Sequence, residues 1–114
     1  MKQVIGSLVS QVLRDILAAQ FLARSDVNTV LRPDTDEAVQ LALLAGNVDV
    51  FIVEEIPGKD TFGKLKKLLK DNVTIIGIGN PASPQAPKLC YRPSELEQLE
   101  DLSLIHISEP TRPY

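Results

Sequence analysis

The sequence predicts an α/β domain with a parallel five-stranded sheet and helices on both of its faces. Short apolar segments rich in β-branched residues alternate along the chain with segments of helical periodicity. Segment 48–53, VDVFIV, is almost continuously apolar, as expected of a strand that is buried on both faces. Aromatic residues make up only 4% of the 114 residues. The core must therefore be built from Val, Ile, Leu and Ala.

The first half of the chain is predicted to contain three strands and two helices. The strands are segments 2–8, 27–31 and 48–53, and the helices run from residue 9 to about 24 and over 38–44. Ser25 and Asp26 break the first helix. Asp34, followed three residues later by Glu37, resembles a capping box at the start of the second helix. Gly46 suits the left-handed position that follows a last helical turn.

The second half is predicted to continue the alternation, with Asp60 capping a third helix. Its apolar stripe comprises Phe62, Leu65, Leu68 and Leu69, and its lysines, Lys64, Lys66, Lys67 and Lys70, face water. Segments 73–78 and 88–91 are strands, separated by the Pro-rich loop 80–87. Ser94 is expected to cap a last helix with Leu96 and Leu99 on one face. Right-handed crossovers favour the strand order 2-1-3-4-5, with functional groups at the carboxyl ends of the strands.

Charge and composition exclude several classes of function. The chain has 12 Lys and Arg against 15 Asp and Glu, a net charge of −3, whereas nucleic-acid binding needs a concentrated basic surface. The single cysteine, Cys90, excludes an internal disulfide and agrees with a reducing compartment. Polar residues interrupt the apolar N-terminal stretch, and no apolar run is long enough to span a membrane. We therefore expect a cytoplasmic protein without direct contact to nucleic acid or membrane.

The last thirteen residues, 102–114, are predicted to be foreign to the domain. Segment 102–112, LSLIHISEPTR, resembles residue for residue the in-frame translation of a transposase-type sequencing-library adapter. The alternative is a natural amphipathic tail. We expect the native domain to occupy residues 1–101, with an output domain missing after Asp101. The only histidine, His106, lies in the tail, so it is left out of any candidate site.

A motif begins at Asp49, where the sequence is DVFIVEEIPGKDTF. It follows the pattern D-x-x-x-x-D, then Pro, then D-G-F, with Glu54 in the place of the second Asp and D-T-F at Asp60. One residue is missing between Glu54 and Pro57. Near the end of the chain, Arg92-Pro93 stands where the same pattern has Lys-Pro. Together these motifs resemble the bacterial response-regulator receiver domain over about residues 2–101.

The resemblance implies a flavodoxin-like three-layer sandwich of strand order 2-1-3-4-5 in which the fourth helix is lost or reduced. Only twelve, Pro-rich residues separate Gly79 from Arg92, which is why that helix has no room. Receiver domains also join their Lys-Pro pair by a cis bond. The resemblance therefore implies a cis bond between Arg92 and Pro93.

The chain departs from the family at the positions that carry phosphotransfer. Receivers hold Mg²⁺ with an acidic pair after the first strand, but the matching positions here are about Leu8 and Val9, with Ser10 adjacent. The phosphoacceptor position is Glu54, one methylene longer than Asp. Gly79 replaces a switch hydroxyl, and Arg92 replaces a lysine. The resemblance is therefore to a pseudo-receiver, and we expect no catalytic residue, cofactor or metal.

Several polar residues are expected at the same edge of the sheet. Glu55, Asp60 and Asn80 are predicted rim contacts around a degenerate pocket formed by Ser10, Glu54, Gly79 and Arg92. Glu54 either pairs with Arg92, as a fixed imitation of the phosphorylated state, or is a solvated carboxylate. Glu54 and Glu55 are adjacent and should point to opposite faces, which disfavours a joint acid/base role.

The sequence is compatible with two functions. The first is a non-catalytic regulatory or protein-interaction domain of a bacterial signalling protein, which binds a protein partner or self-associates. The second is a small-molecule or nucleotide-binding domain, or an enzyme fragment, with its ligand over Ser10, Glu54 and Asn80. The string GIGNP from Gly77 is a poor phosphate loop, because Pro81 removes an N–H donor and no helix follows.

Overall fold

The five predicted strands form one parallel sheet of order β2-β1-β3-β4-β5. The computed structural model describes residues 2–22, 25–56, 58–69 and 72–95. The strands are β1 (Lys2–Ser7), β2 (Val27–Arg32), β3 (Val50–Glu54), β4 (Thr74–Ile78) and β5 (Leu89–Tyr91). All four strand pairs are parallel. The predicted fold class and strand order are confirmed, and the fold is flavodoxin-like and receiver-like.

Three helices cover the two faces of the sheet: α1 (Gln11–Leu22), α2 (Thr35–Ala45) and α3 (Thr61–Leu68). One core lies under α1 and comprises Val4, Leu8, Leu13, Leu17, Phe21, Val50, Ile52, Ile76 and Ile78. The other lies under α2 and α3 and comprises Ile5, Ala38, Val39, Ala42, Val48, Phe51, Val53, Phe62, Leu65 and Leu69. Successive residues of the central strand β3 alternate between these cores, so its apolar run is buried on both sides.

The predicted caps place α2 and α3. The Asp34 carboxylate accepts from the backbone N–H groups of Asp36 and Glu37 at 2.8 and 3.3 Å. Gly46 takes φ 72° after the last turn of α2, and its N–H donates to the Ala42 carbonyl. Asp60 accepts from Gly63 N at 3.2 Å and begins α3. These caps satisfy backbone groups that a helix end leaves without partners.

The connection from β4 to β5 is a series of turns, as predicted, and no helix forms over residues 79–88. A parallel crossover usually takes a dozen or more residues. Here the shorter connection packs directly on the sheet: a Cβ on Gly77 would lie 3.0 Å from both Phe62 and Pro87. The absent side chain therefore lets the loop cover β4 where a helix would otherwise lie.

Several expectations need correction or stay open. Helix α1 begins at Gln11, two residues later than predicted, because Ser10 takes the position before its first turn and its Oγ accepts from Leu13 N at 3.4 Å. Leu68 is 42% exposed and is not part of the apolar stripe. The Arg92–Pro93 bond is trans, not cis. Residues 93–95 form a 3₁₀ turn, while the predicted last helix beyond it and segment 102–114 lie outside the described residues.

No helix within the described ranges is long and apolar enough to cross a membrane.

Candidate functional site at the carboxyl edge of the sheet

The carboxyl ends of parallel strands meet at one edge of the sheet, and the loops that follow β1, β3, β4 and β5 bring the predicted polar residues there. Hydrogen bonds among the described residues do not join all of them. The structure shows two hydrogen-bonded clusters, one around Glu54 and one around Glu55. The adjacent glutamates diverge, as their alternation along the chain predicts.

The first cluster joins the end of β3 to the start of α1. Glu54 Oε1 accepts a hydrogen bond from the backbone N–H of Ser10 at 2.9 Å. Ser10 is also the residue before the first turn of α1, so the carboxylate lies at the positive end of that helix. A charge-assisted hydrogen bond of this kind fixes both the loop and the carboxylate. The predicted neighbours Ser10 and Glu54 are thus brought together.

The positively charged side chain of Arg14 fixes the loop between β1 and α1. Arg14 Nη1 donates to the carbonyl oxygens of Leu8 and Val9 at 2.7 and 3.0 Å. Leu8 is fully buried, whereas Val9 is 53% exposed. These are the positions that the sequence resemblance assigns to the acidic pair of a receiver domain. Here the only oxygens at those two residues are backbone carbonyls, and both face a guanidinium.

This arrangement does not fit Mg²⁺. A hard cation needs about six oxygen ligands and prefers carboxylates, whereas Leu8 and Val9 have aliphatic side chains. Arg14 takes the two carbonyl oxygens and would repel a second cation at short range. Glu54 does bring a carboxylate to this loop, but its Oε1 is engaged by Ser10. Across the described part of the chain, no three His, Cys, Asp or Glu side chains form a group that could bind a metal ion.

The second cluster anchors the loop between β4 and β5. Glu55 Oε1 accepts from the backbone N–H of Asn80 at 3.0 Å, and Glu55 Oε2 accepts from Ser83 Oγ at 2.8 Å. Asn80 Oδ1 in turn accepts from Ala82 N at 3.0 Å, which closes an Asx-type turn. One carboxylate therefore uses both of its oxygens to fix a loop that lies 25 and 28 residues away along the chain.

Gly79 belongs to this second cluster. A Cβ at position 79 would lie 2.6 Å from Glu55 Cβ and 2.8 Å from Glu55 Oε1, so only glycine lets the Glu55 side chain lie across the end of β4. At the position that the sequence resemblance assigns to a switch hydroxyl, the side chain of Glu55 approaches the backbone closely. The glycine is explained by packing.

Arg92 and Asp60 adjoin other elements than the Ser10–Glu54 pair does. Arg92 is exposed and follows β5, which is separated from β3 by the whole of β4. Asp60 caps α3 through Gly63. The contact that the structure describes for Glu54 is the one with Ser10, and a pairing of Glu54 with Arg92 stays a prediction.

A cleft of about 400 Å³ opens beside these clusters, between the first turns of α2 and α3. Its lining includes the predicted rim contact Asp60 but not Ser10, Glu54 or Asn80, and the other polar residues along it are Asp34, Thr35, Asp36, Lys59, Thr61 and Lys64. Lys64 Nζ lies 2.7 Å from Asp36 Oδ1 across the cleft. The hydrogen bond and the charge of Lys64 hold the pKa of Asp36 below its ordinary value of 3.8.

Sequence reasoning misses two residues that organise this edge. The helical pattern places Arg14 on the solvent side of α1, and nothing in the loop pattern distinguishes Ser83. An Asn followed by Pro, Ala and Ser is a recognisable turn, so the Asn80 turn is predictable, although its glutamate partner is not. The motif residue Asp49 acts at the opposite edge of the sheet, where its Oδ2 accepts from Gln3 N at 2.8 Å.

Comparison with known proteins finds a structural likeness. No model of a known protein family matches the chain, and no curated protein matches it. Among solved structures, it is similar to the solution structure of a response regulator protein from Burkholderia multivorans, with a TM-score of 0.66 and 16% sequence identity over 99% of each chain. At this identity the likeness establishes the receiver-like fold and leaves the activity open.

Proposed function

We propose that the chain is a non-catalytic regulatory or protein-interaction domain of a signalling protein, with a receiver-like fold that does not accept phosphate. The observation that carries the proposal is the guanidinium of Arg14 on the carbonyl oxygens of Leu8 and Val9. A fixed positive charge lies where phosphotransfer would need a divalent cation. Transfer of a phosphoryl group depends on such a cation to neutralise the charge that develops on its oxygens.

The engagement of Glu54 supports the same conclusion. In-line attack requires a carboxylate oxygen directed at the donor phosphorus, whereas the Ser10 amide, at 2.9 Å from Oε1, holds the Glu54 carboxylate against the start of α1. The contact also fixes the Glu54 side chain at the start of α1. We infer that the domain is held in a single state, and that its surface presents one fixed conformation to a partner.

A direct test is incubation with acetyl phosphate and Mg²⁺, followed by intact mass measurement. Transfer would form an acyl phosphate on a carboxylate of the chain and release acetate. We expect no phosphate adduct, under conditions in which an active receiver domain, treated in parallel, is phosphorylated. A Mg²⁺-dependent adduct on Glu54 or Asp60 would overturn the proposal.

The variant Glu54→Asp separates the two reasons for inactivity. It gives the phosphoacceptor position the shorter side chain of an active receiver and leaves Arg14 in place. We expect it to remain unphosphorylated, because the cation site is still absent. A phosphate adduct at position 54 of this variant would show that side-chain length alone blocks transfer and would contradict the role assigned to Arg14.

We further propose that the domain ends near Asp101 and that segment 102–114 is foreign to it. The support is the resemblance of segment 102–112 to translated adapter sequence. Recovery of the uninterrupted reading frame tests this directly. A native coding sequence that departs from segment 102–114 is the expected result, and a native gene that encodes this segment would contradict it.

A further inference from the structure

We propose that two copies of this chain associate through the outer edge of β2, so that two five-stranded sheets join into one. The proposal concerns a surface remote from the Glu54 and Glu55 clusters, and it goes beyond the proposed function without depending on it. The expected partner is a second copy of the chain, because the edge is complementary to itself in hydrogen bonding, apolarity and charge.

The hydrogen bonds of β2 show which peptide groups face outward. Within the described sheet, β2 lies at the end and pairs only with β1. The carbonyls of Asp26 and Arg32 accept from β1 and from the residue after it, at 2.8 and 2.9 Å, so even-numbered residues of this segment face inward. Because the direction alternates along a strand, the peptide groups of Val27, Thr29 and Leu31 face outward.

A contact at the outer edge agrees with this assignment. Arg32 Nη1 reaches round the edge to donate to the Leu31 carbonyl at 3.1 Å. The outward carbonyl is thus accessible to a donor. A long edge strand of this kind is a template for pairing, which proteins commonly block with proline, lysine or a bulge. The sequence of β2, VNTVLR, contains no proline and no lysine.

The outward groups define one best register. Antiparallel pairing centred on Thr29 places Thr29 opposite Thr29 of the second copy, and Val27 opposite Leu31 twice. All three outward residues then exchange both hydrogen bonds with their partners. A shift by two residues in either direction removes one of these three pairs, so the centred register is favoured.

Side chains are complementary in the same register. On the α1 side of the sheet, Val27 and Leu31, both partly buried against the core, would meet across the junction as apolar pairs. On the α2 side, Asp26 would lie opposite Arg32, and the two-fold axis gives this ion pair twice. The Thr29 hydroxyl, which is buried and makes no hydrogen bond within the described structure, would lie near its own symmetry mate.

Arg32 can pair with Asp26 of the second copy and keep its contact with Glu37. Its Nη1 then leaves the Leu31 carbonyl to the N–H of Val27 of the second copy. Arg32 Nε lies 3.2 Å from Glu37 Oε1, and both side chains are about half exposed. A guanidinium carries five N–H donors, so it can engage a carboxylate on each side. Rotation of the Arg32 side chain is therefore sufficient for it to contact both Glu37 of its own chain and Asp26 of the second copy.

The test is a charge exchange in the full chain, followed by sedimentation velocity over a range of concentrations. Wild-type protein is expected to show a concentration-dependent dimer. Asp26→Arg and Arg32→Asp should each raise the dimer Kd about tenfold or more, because each places like charges opposite one another, and the double variant should restore dimerisation. Failure of the double variant to recover, where both single variants weaken the dimer, would overturn the register.

The variant Thr29→Pro tests the backbone contact. It removes an outward N–H and no hydrogen bond to β1, and proline is tolerated at this side of an edge strand. We expect a folded monomer by circular dichroism and sedimentation. A dimer that persists in this variant, or wild-type protein that is monomeric at the concentrations used for NMR, would overturn the proposal. If Thr29→Pro fails to fold, the charge exchange still decides the question.

Discussion

The exposed ion pair between Lys64 and Asp36 joins the first turns of α3 and α2 across the cleft. This ion pair makes the folding stability depend on pH in a direction that follows from the pKa of Asp36. The pKa of Asp36 is lowered in the folded chain by the hydrogen bond and charge of Lys64. A carboxyl group of this kind contributes stability that is present above its unfolded-state pKa and is lost as the pH falls through its folded-state pKa.

We predict that Lys64→Gln raises the pKa of Asp36 towards its ordinary value. The variant should be slightly less stable than wild type near neutral pH and equal to it once Asp36 is protonated in both. NMR titration of the Asp36 carboxyl group gives the pKa, and urea unfolding gives the stability difference. Lys67→Gln on the same helix is the matched control, and a similar shift of Asp36 in that variant would contradict the pairing.

Residue-scale prediction from sequence succeeds where local rules decide the outcome. Asp34, Gly46 and Asp60 are caps because their side chains or backbone suit a helix end, and nothing distant competes. Leu68 is exposed although it fits the helical stripe, because α3 ends at that residue and Leu69 turns inward instead. The contact of Arg14 depends on where loops meet, which no local pattern encodes.

At the scale of elements, the connection from β4 to β5 depends on a single side chain of another loop. We predict that Glu55→Ala destabilises the fold by about 1–2 kcal/mol, since two donors lose a charged acceptor at a partly exposed site. Glu55→Gln should cost less, because its amide oxygen can still accept from Asn80. Urea unfolding measures the cost, and hydrogen exchange at the Asn80 amide reports the loop itself.

The control for this prediction is Glu37→Ala, an exposed glutamate on α2. It should leave exchange at Asn80 unchanged. Equal effects of Glu55→Ala and Glu55→Gln, or an Asn80 amide that exchanges no faster in Glu55→Ala, would show that the carboxylate does not anchor the loop.

Element order and type are predictable because the apolar periods along the chain are strong, while element boundaries are not. Strand β3 begins at Val50 rather than at Val48, and α1 begins after Ser10. Both shifts have the same cause: a side chain or backbone group at the boundary is used as a cap or in a contact outside the element. The loss of a fourth helix is predictable from the small number of residues between Gly79 and Arg92.

At the scale of the molecule, the strand order follows from right-handed crossovers and from the buried character of segment 48–53. The site is predictable only in part. Several of its residues do meet at the carboxyl edge, but in two hydrogen-bonded clusters, because Glu54 and Glu55 leave β3 in opposite directions. The carboxylates at this edge accept hydrogen bonds that fix loops, so fewer of their oxygens remain to bind a ligand or to react.

The measurement that tests this account most directly is a Mg²⁺ titration followed by the amide resonance of Ser10. The Ser10 N–H donates to Glu54 and neighbours the carbonyls bound by Arg14, so it would report any cation that enters. We predict only a small drift that does not saturate at millimolar Mg²⁺. A saturable shift of Ser10, abolished by Glu54→Gln, would show a working cation site and contradict the central claim.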